Sequence, residues 1–134
     1  MAKLTEVEGI GPTYAEKLQQ AGIDSTEALL EKGASPKGRK EIAESTDISP
    51  KLVLRWVNMV DLFRIKGIGE EYAELLEAAG VDTVPELAQR NAANLHQKMV
   101  EVNEEKKLVR QTPSESAVGD WVQQAKDLPR VVEY

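Results

Sequence analysis

The feature that most constrains the fold of this chain is a segment that occurs twice. The ten residues from Gly9, GIGPTYAEKL, return 58 residues later from Gly67 as GIGEEYAELL. The match continues without a gap to Leu29 and its counterpart Leu87. Two copies with a period near 60 residues indicate a duplicated domain half, because a solenoid needs three or more shorter repeats.

The later parts of the two copies match with a growing offset. Ser49-Pro50 corresponds to Thr112-Pro113 at an offset of 63, and Trp56-Val57 corresponds to Trp121-Val122 at an offset of 65. We therefore predict a first repeat at 1–62, a second repeat at 63–128 and a C-terminal tail at 129–134. Because halves of this size are marginally stable alone, we expect both repeats to pack into one compact domain.

Proline and glycine positions predict an all-α fold. Pro12 suits the first turn of a helix, and Gly22 suits the left-handed residue that follows its end. Ser35, Ser49 and Thr112 each precede a proline, which is typical of a helix start. The predicted helices span residues 12–21, 25–32, 36–45, 50–60, 70–79, 84–90, 92–103 and 113–126. No segment shows sustained strand alternation, and residues 130–134 are expected to be extended at most.

Composition argues against several function classes. The chain has no cysteine and only one histidine, His96, so thiol chemistry and a typical zinc site are not expected. It lacks both a signal-peptide pattern and a run of 18 apolar residues. We expect a cytoplasmic, non-enzymatic protein with no cofactor, no membrane segment and no small-molecule substrate.

The distribution of charge favours the first half as a partner for phosphate. The formal net charge is −6, which argues against a general polyanion binder. Residues 1–64 carry 9 Lys and Arg against 10 Asp and Glu, whereas residues 65–134 carry 8 against 13. The first half has the more balanced charge and is therefore the better candidate for a contact with phosphate.

The repeated segment resembles the helix-hairpin-helix motif. The stretch from Leu4 to Ala15, LTEVEGIGPTYA, is similar to the hairpins of DNA polymerase β, of DNA-repair ligases and of the RadA recombinase N-terminal domain. The second copy matches from Phe63 to Gly69, FRIKGIG. Over nearly its full length the chain also resembles a bacterial family of tandem helix-hairpin-helix proteins without an assigned function. The resemblance implies two pseudo-symmetric repeats.

A turn of this composition has a physical consequence of its own. Two glycines around one apolar residue allow a tight turn with positive φ, while Ile10 or Ile68 fills the gap between helices. The turn leaves main-chain N–H groups beside a helix N-terminus, which attracts anions. Main-chain contacts of this kind would hold a DNA backbone without reading its sequence.

The resemblance implies specific residues for that contact. The N–H donors would be Gly9, Gly11, Thr13 and Tyr14, with Lys17 one turn further along the helix. The basic residues Lys32, Lys37, Arg39 and Lys40 would widen the positive face if the fold brings them to the same side. Related hairpins also hold a monovalent cation, here on the carbonyls of Thr5, Val7 and Ile10.

Two interpretations remain open from the sequence. In the first, the protein binds DNA nonspecifically through the first hairpin. In the second, it binds a protein partner and the hairpins are structural connectors. The second copy favours the latter, since Glu70 and Glu71 lie where a phosphate would approach and Leu75 replaces Lys17. Trp56 and Trp121 occupy equivalent positions and are expected in the core.

Overall fold

The chain is all-helical in a computed structural model that describes residues 3–134, and no strand occurs among those residues. This confirms the predicted all-α class. A short 3₁₀ helix, Leu4–Glu6, precedes the α-helices and was not predicted. The α-helices are α1 (Pro12–Gln20), α2 (Thr26–Gly33), α3 (Pro36–Thr46), α4 (Pro50–Leu62), α5 (Glu70–Ala78), α6 (Val84–Ala88), α7 (Ala92–Lys106) and α8 (Glu115–Asp127).

Most helix boundaries follow the predicted punctuation. Ser35 caps α3 by accepting a hydrogen bond from the Gly38 N–H at 3.0 Å, with Pro36 at the first helical position. α1 ends as expected at Gly22, where φ is +87° and the N–H donates to the Gln19 carbonyl. The Ile23 N–H then reaches back to Leu18 at 2.9 Å, which completes a Schellman ending.

Two helices, α2 and α8, begin later than predicted. α2 begins at Thr26 rather than at 25, because the Ser25 hydroxyl accepts the Ala28 N–H at 3.1 Å and provides the cap. α8 begins at Glu115 rather than at 113, because the Ser114 hydroxyl provides the cap. α6 begins at Val84 as predicted, although the side chain of its N-cap residue, Thr83, makes no cap hydrogen bond. In both of the later starts, a serine hydroxyl just before the helix supplies the cap.

The chain forms two compact units. The first unit comprises residues up to Asp61 together with Val131–Tyr134, and the second comprises Leu62–Arg130. Within these bounds the first unit has 8 Lys and Arg against 11 Asp and Glu, and the second has 9 against 12, so each has a net charge of −3. The charge asymmetry counted at residue 64 is therefore absent between the structural units.

Each unit has its own apolar core. In the first unit α2 packs against α3 and α3 against α1, and in the second α6 and α7 pack against α8. Trp56 and Trp121 are buried, which confirms that both are core residues. The largest fully buried side chains include Leu18, Ile23, Leu29, Trp56 and Met59 in the first unit, and Leu75, Leu76, Leu87, Leu95 and Met99 in the second.

The corner between α2 and α3 depends on Gly38, because this position has no space for a side chain. A Cβ added at Gly38 would collide with the main-chain carbonyl oxygen of Lys32. This carbonyl belongs to the backbone of α2 and has little freedom to move aside. The close approach of the two helices therefore requires glycine at this position.

We predict that Gly38→Ala lowers the stability of the chain by about 1–3 kcal/mol, because the added methyl group forces the α2–α3 corner apart. Gly119→Ala, in α8, is the matched control, since its nearest neighbour would lie at 3.8 Å. Alanine there is expected to be neutral or stabilising by up to about 1 kcal/mol. Urea denaturation followed by circular dichroism measures both, and equal stability of the two variants would contradict the prediction.

Candidate functional site

The first glycine turn, Gly9-Ile10-Gly11, connects the 3₁₀ helix to α1. Gly9 has a φ of +94°, a conformation that residues with a side chain rarely adopt. The Ile10 N–H donates to the Val7 carbonyl at 3.0 Å, and the Ile10 side chain is buried as predicted. The chain then enters α1 through Gly11 and Pro12. The turn thus directs the start of α1 towards the surface.

The main-chain amides of this turn are available to a ligand. Gly9, Gly11 and Thr13 are exposed, and Tyr14 is half-buried. Among residues 3–134 no acceptor receives a hydrogen bond from the N–H of any of these four. Three of the amides belong to the N-cap and first turn of α1, where the helix dipole adds partial positive charge. The arrangement is suited to an anion.

The N-terminus of α1 also lacks the usual side-chain partners. Side chains of Ser25, Ser35, Asn91 and Ser114 cap α2, α3, α7 and α8. By contrast, α1 has glycine as its N-cap, no side-chain cap hydrogen bond and no acidic residue in its first turn. Among the described N-caps, no other helix combines these three features. The positive end of α1 is therefore uncompensated.

A stack of side chains supports the turn from below. Trp56 of α4 is fully buried, and its Nε1 would lie 3.1 Å from a Cβ built on Gly9. The rings of Tyr14 and Trp56 pack edge to face, with their centroids 5.1 Å apart. The Lys17 ammonium lies 5.9 Å from the Tyr14 ring centroid. This contact holds the Lys17 side chain one helical turn beyond the main-chain amides that have no acceptor.

The Trp56 indole N–H has no hydrogen-bond partner in the described part of the chain. It is buried beside Gly9, at the base of the first glycine turn. A buried donor without an acceptor costs about 1–3 kcal/mol. The turn therefore has a second unpaired donor group in addition to its main-chain amides.

The second glycine turn, Gly67-Ile68-Gly69, has the same backbone and a different charge. Gly67 has a φ of +100° and lies against the indole of Trp121, as Gly9 lies against Trp56. However, Glu70 and Glu71 occupy the first turn of α5. These carboxylates compensate the dipole of α5 and repel anions.

The position that corresponds to Lys17 is also apolar in the second unit. Leu75 occupies it and is fully buried, so no cation stands above the second turn at this point. The two turns thus share a backbone but not an electrostatic environment.

The structure separates the predicted basic patch into different environments. Lys37 and Lys40 are exposed on α3, and no hydrogen bond or ring contact in the described chain joins either to the first glycine turn. Arg39 is only 8% exposed, and its guanidinium donates to the carbonyls of Gly33, Ala34 and Glu133. Burial lowers the pKa of Arg39, while Tyr134 acts in the opposite direction. Arg39 therefore belongs to the interior and not to the surface expected from the sequence.

The carbonyls implied for a monovalent cation are those of Thr5, Val7 and Ile10. One of them, on Val7, already accepts the Ile10 N–H within the turn. No group of three or more His, Cys, Asp or Glu in residues 3–134 is arranged to hold a metal ion. The described helices also include none that is both long and apolar enough to span a bilayer.

Comparison with known families assigns residues 8–128 to one family. A family described as a domain of unknown function, DUF4332, matches residues 8–128. The chain belongs to this family. The matched region starts just before the first glycine turn and ends after α8, so it contains both turns and leaves out the last six residues. No curated protein and no solved structure shows a significant match.

We predict that Gly9→Ala destabilises the first unit by about 1–3 kcal/mol, because alanine is strained at a φ of +94° and its Cβ would press on the Trp56 indole. Gly11→Ser is the control in the same turn, since a Cβ there meets nothing within 4 Å. Thermal unfolding monitored by tryptophan fluorescence compares the two. A Gly9→Ala protein as stable as Gly11→Ser would show that the turn does not need its left-handed residue.

Proposed function

We propose that the protein is a non-enzymatic module that holds the phosphate backbone of DNA, without reading its sequence, at the first glycine turn. The proposal treats both glycine turns as helix-hairpin-helix hairpins within two pseudo-symmetric repeats. Its structural support is that Gly9 and Gly67 share a positive φ and an indole beneath them. The helices that follow the turns also end alike, at Gly22 and Gly80.

The observation that carries the proposal is the uncompensated N-terminus of α1. The amides of Gly11, Thr13 and Tyr14 are directed at no acceptor in the described chain. Phosphate oxygens are suitable acceptors, since they bring negative charge to the positive end of the helix dipole. Because only main-chain donors and one lysine are involved, the contact does not depend on base identity.

Nearby carboxylates limit the strength of this contact. Glu6 and Glu16 are exposed, and Glu8 is half-buried beside the turn. The net charge of −3 on the first unit adds a general repulsion. We therefore expect binding that is weak, falls steeply with salt and is measured best at about 50 mM ionic strength.

The second glycine turn has a different role in this proposal. Glu70 and Glu71 provide internal negative charge at the start of α5, so this turn stabilises its own helix and binds no phosphate. A protein-interaction module is the second candidate function, and the acidic second turn favours it. Failure of both DNA and RNA to bind at low salt would select that candidate, and an affinity pull-down from the native host would then identify the partner.

We predict that Gly11→Ser increases stability and weakens DNA binding together. A serine hydroxyl at the N-cap accepts the Tyr14 or Thr13 N–H, which stabilises α1 by a few tenths of a kcal/mol and removes donors from the phosphate. Affinity for a 20-base-pair duplex, measured by fluorescence anisotropy, should fall about tenfold, equivalent to roughly 1.4 kcal/mol.

Gly69→Ser is the matched control for this substitution. It introduces the same hydroxyl at the N-cap of α5, also in open space, without a change in charge. DNA affinity should remain that of the unmodified protein. If both serine variants bind as the unmodified protein does, the amides of α1 are not the contact.

We further predict that Lys17→Glu weakens DNA binding about tenfold and lowers the slope of log affinity against log salt by about one, since one phosphate contact is lost. Lys98→Glu makes the same change in net charge on an exposed position of α7 in the second unit. Titrations at several salt concentrations separate a local from a general effect. Equal losses in the two variants would indicate that only net charge matters.

A further inference from the structure

The segment Val131–Tyr134 lies in the first unit, in a socket that we define by Ala34, Arg39 and Asn58. Its Val132 side chain is 1% exposed, although helix α8 has ended at Asp127 and the chain is extended. Four residues without helical structure are thus bound through specific contacts. The sequence predicted an extended segment here but not its place in a core.

The socket recognises the main chain of this segment. The Glu133 N–H donates to the Ala34 carbonyl at 2.7 Å, and the Glu133 carbonyl accepts from Arg39 Nη2 at 2.6 Å. Hydrogen bonds to both sides of one extended residue resemble the way an added strand is held, here by a helix corner in place of a sheet edge. Such contacts are independent of the side chain at position 133.

Two side chains add selectivity. Val132 is the buried apolar anchor, and the Tyr134 hydroxyl donates to Asn58 Oδ1 at 3.1 Å. The Arg39 guanidinium lies 5.9 Å from the Tyr134 ring centroid, so the ring is also a cation–π partner. The socket therefore fits an extended peptide of the form apolar residue, any residue, tyrosine.

Arg39 is built into the socket independently of the segment. Its Nη1 donates to Gly33 at 2.8 Å and to Ala34 at 3.1 Å, both within the α2–α3 corner. These bonds hold the guanidinium in place while Nη2 is directed at the peptide. The recognition group is thus positioned by the unit itself.

The segment also lies outside the region that defines the family, which ends at residue 128. Pro129 follows α8 and cannot continue a helix, so the chain reaches the socket in extended form. We propose that the socket is a peptide-binding site that takes residues 131–134 of a second copy as well as those of its own chain. Exchange of a short extended segment between identical chains is a low-cost route to a dimer.

The test uses the full chain with Val132→Asp, which removes the anchor and empties the socket. A fluorescent peptide of residues 128–134 should bind this variant saturably in anisotropy measurements. The unmodified protein should bind it at least about tenfold more weakly, because its own segment competes at an effective concentration near millimolar. Adding Arg39→Lys to the Val132→Asp chain should abolish binding, as should placing aspartate at the anchor position of the peptide.

A second variant covers a failure of the first to fold. Glu133→Pro removes the N–H that bonds to Ala34 and empties the socket without a buried charge. The proposal is overturned if a folded variant binds no peptide at about 1 mM, or if the unmodified protein binds it equally well. It is also overturned if circular dichroism shows both variants unfolded, since the segment would then be an inseparable part of the core.

Exchange between full chains gives an independent measurement. Val132→Asp protein has an intact socket, and Arg39→Ala protein has an intact segment without a working socket. Light scattering coupled to size exclusion should find each alone as a monomer and their mixture as a 1:1 complex. A mixture that contains only monomers at about 100 μM would contradict exchange.

Discussion

The contact between a buried indole and a glycine without a side chain sets the geometry of the candidate site. The Trp56 Nε1 would lie only 3.1 Å from a Cβ on Gly9, and Gly9 also has a φ of +94°, so both the close contact and the backbone favour glycine here. The same packing occurs between Trp121 and Gly67. Because the indole is in the core and the turn is on the surface, core packing directly determines where the amides of α1 point.

The second feature of the site is that the N-terminus of α1 has no stabilising side-chain cap. A serine at the N-cap of α1 would stabilise the helix by a few tenths of a kcal/mol, as serine does at α2, α3 and α8. Glycine leaves the amides without a partner, and Lys17 is kept above them by its contact with Tyr14. At the first turn, the open amides that suit an anion therefore come at the expense of helix stability. At the second turn, Glu70 and Glu71 stabilise the N-terminus of α5 instead.

Much of this architecture was predictable from the sequence, because it follows local rules. Pro12, Pro36 and Gly22 mark helix ends through backbone geometry alone, and their helices begin and end within one residue of expectation. The burial of Trp56 followed from its repeat position. The 3₁₀ helix was missed, since its three residues have no periodicity to detect.

The fate of Arg39 was not predictable for a different reason. Its position among Lys37 and Lys40 indicates a basic surface, but the carbonyl of Glu133 is 94 residues away in sequence. Such distant partners leave no local signal. Counting charges by sequence halves failed similarly, because the fold assigns Glu133 to the first unit and Arg64 to the second. Main-chain amides open at the first glycine turn were expected from the composition of the turn, and the resemblance to known hairpins then named Gly11 among the donors.

The distribution of tryptophan has one more consequence. The chain contains two tryptophans, and each lies in a different unit beneath its own glycine turn. Replacing either one by phenylalanine would leave a single tryptophan, next to one known turn, whose fluorescence can be excited selectively over that of tyrosine. The protein thus contains a separate optical reporter for each half, so that local opening at one turn can be followed without attaching a dye.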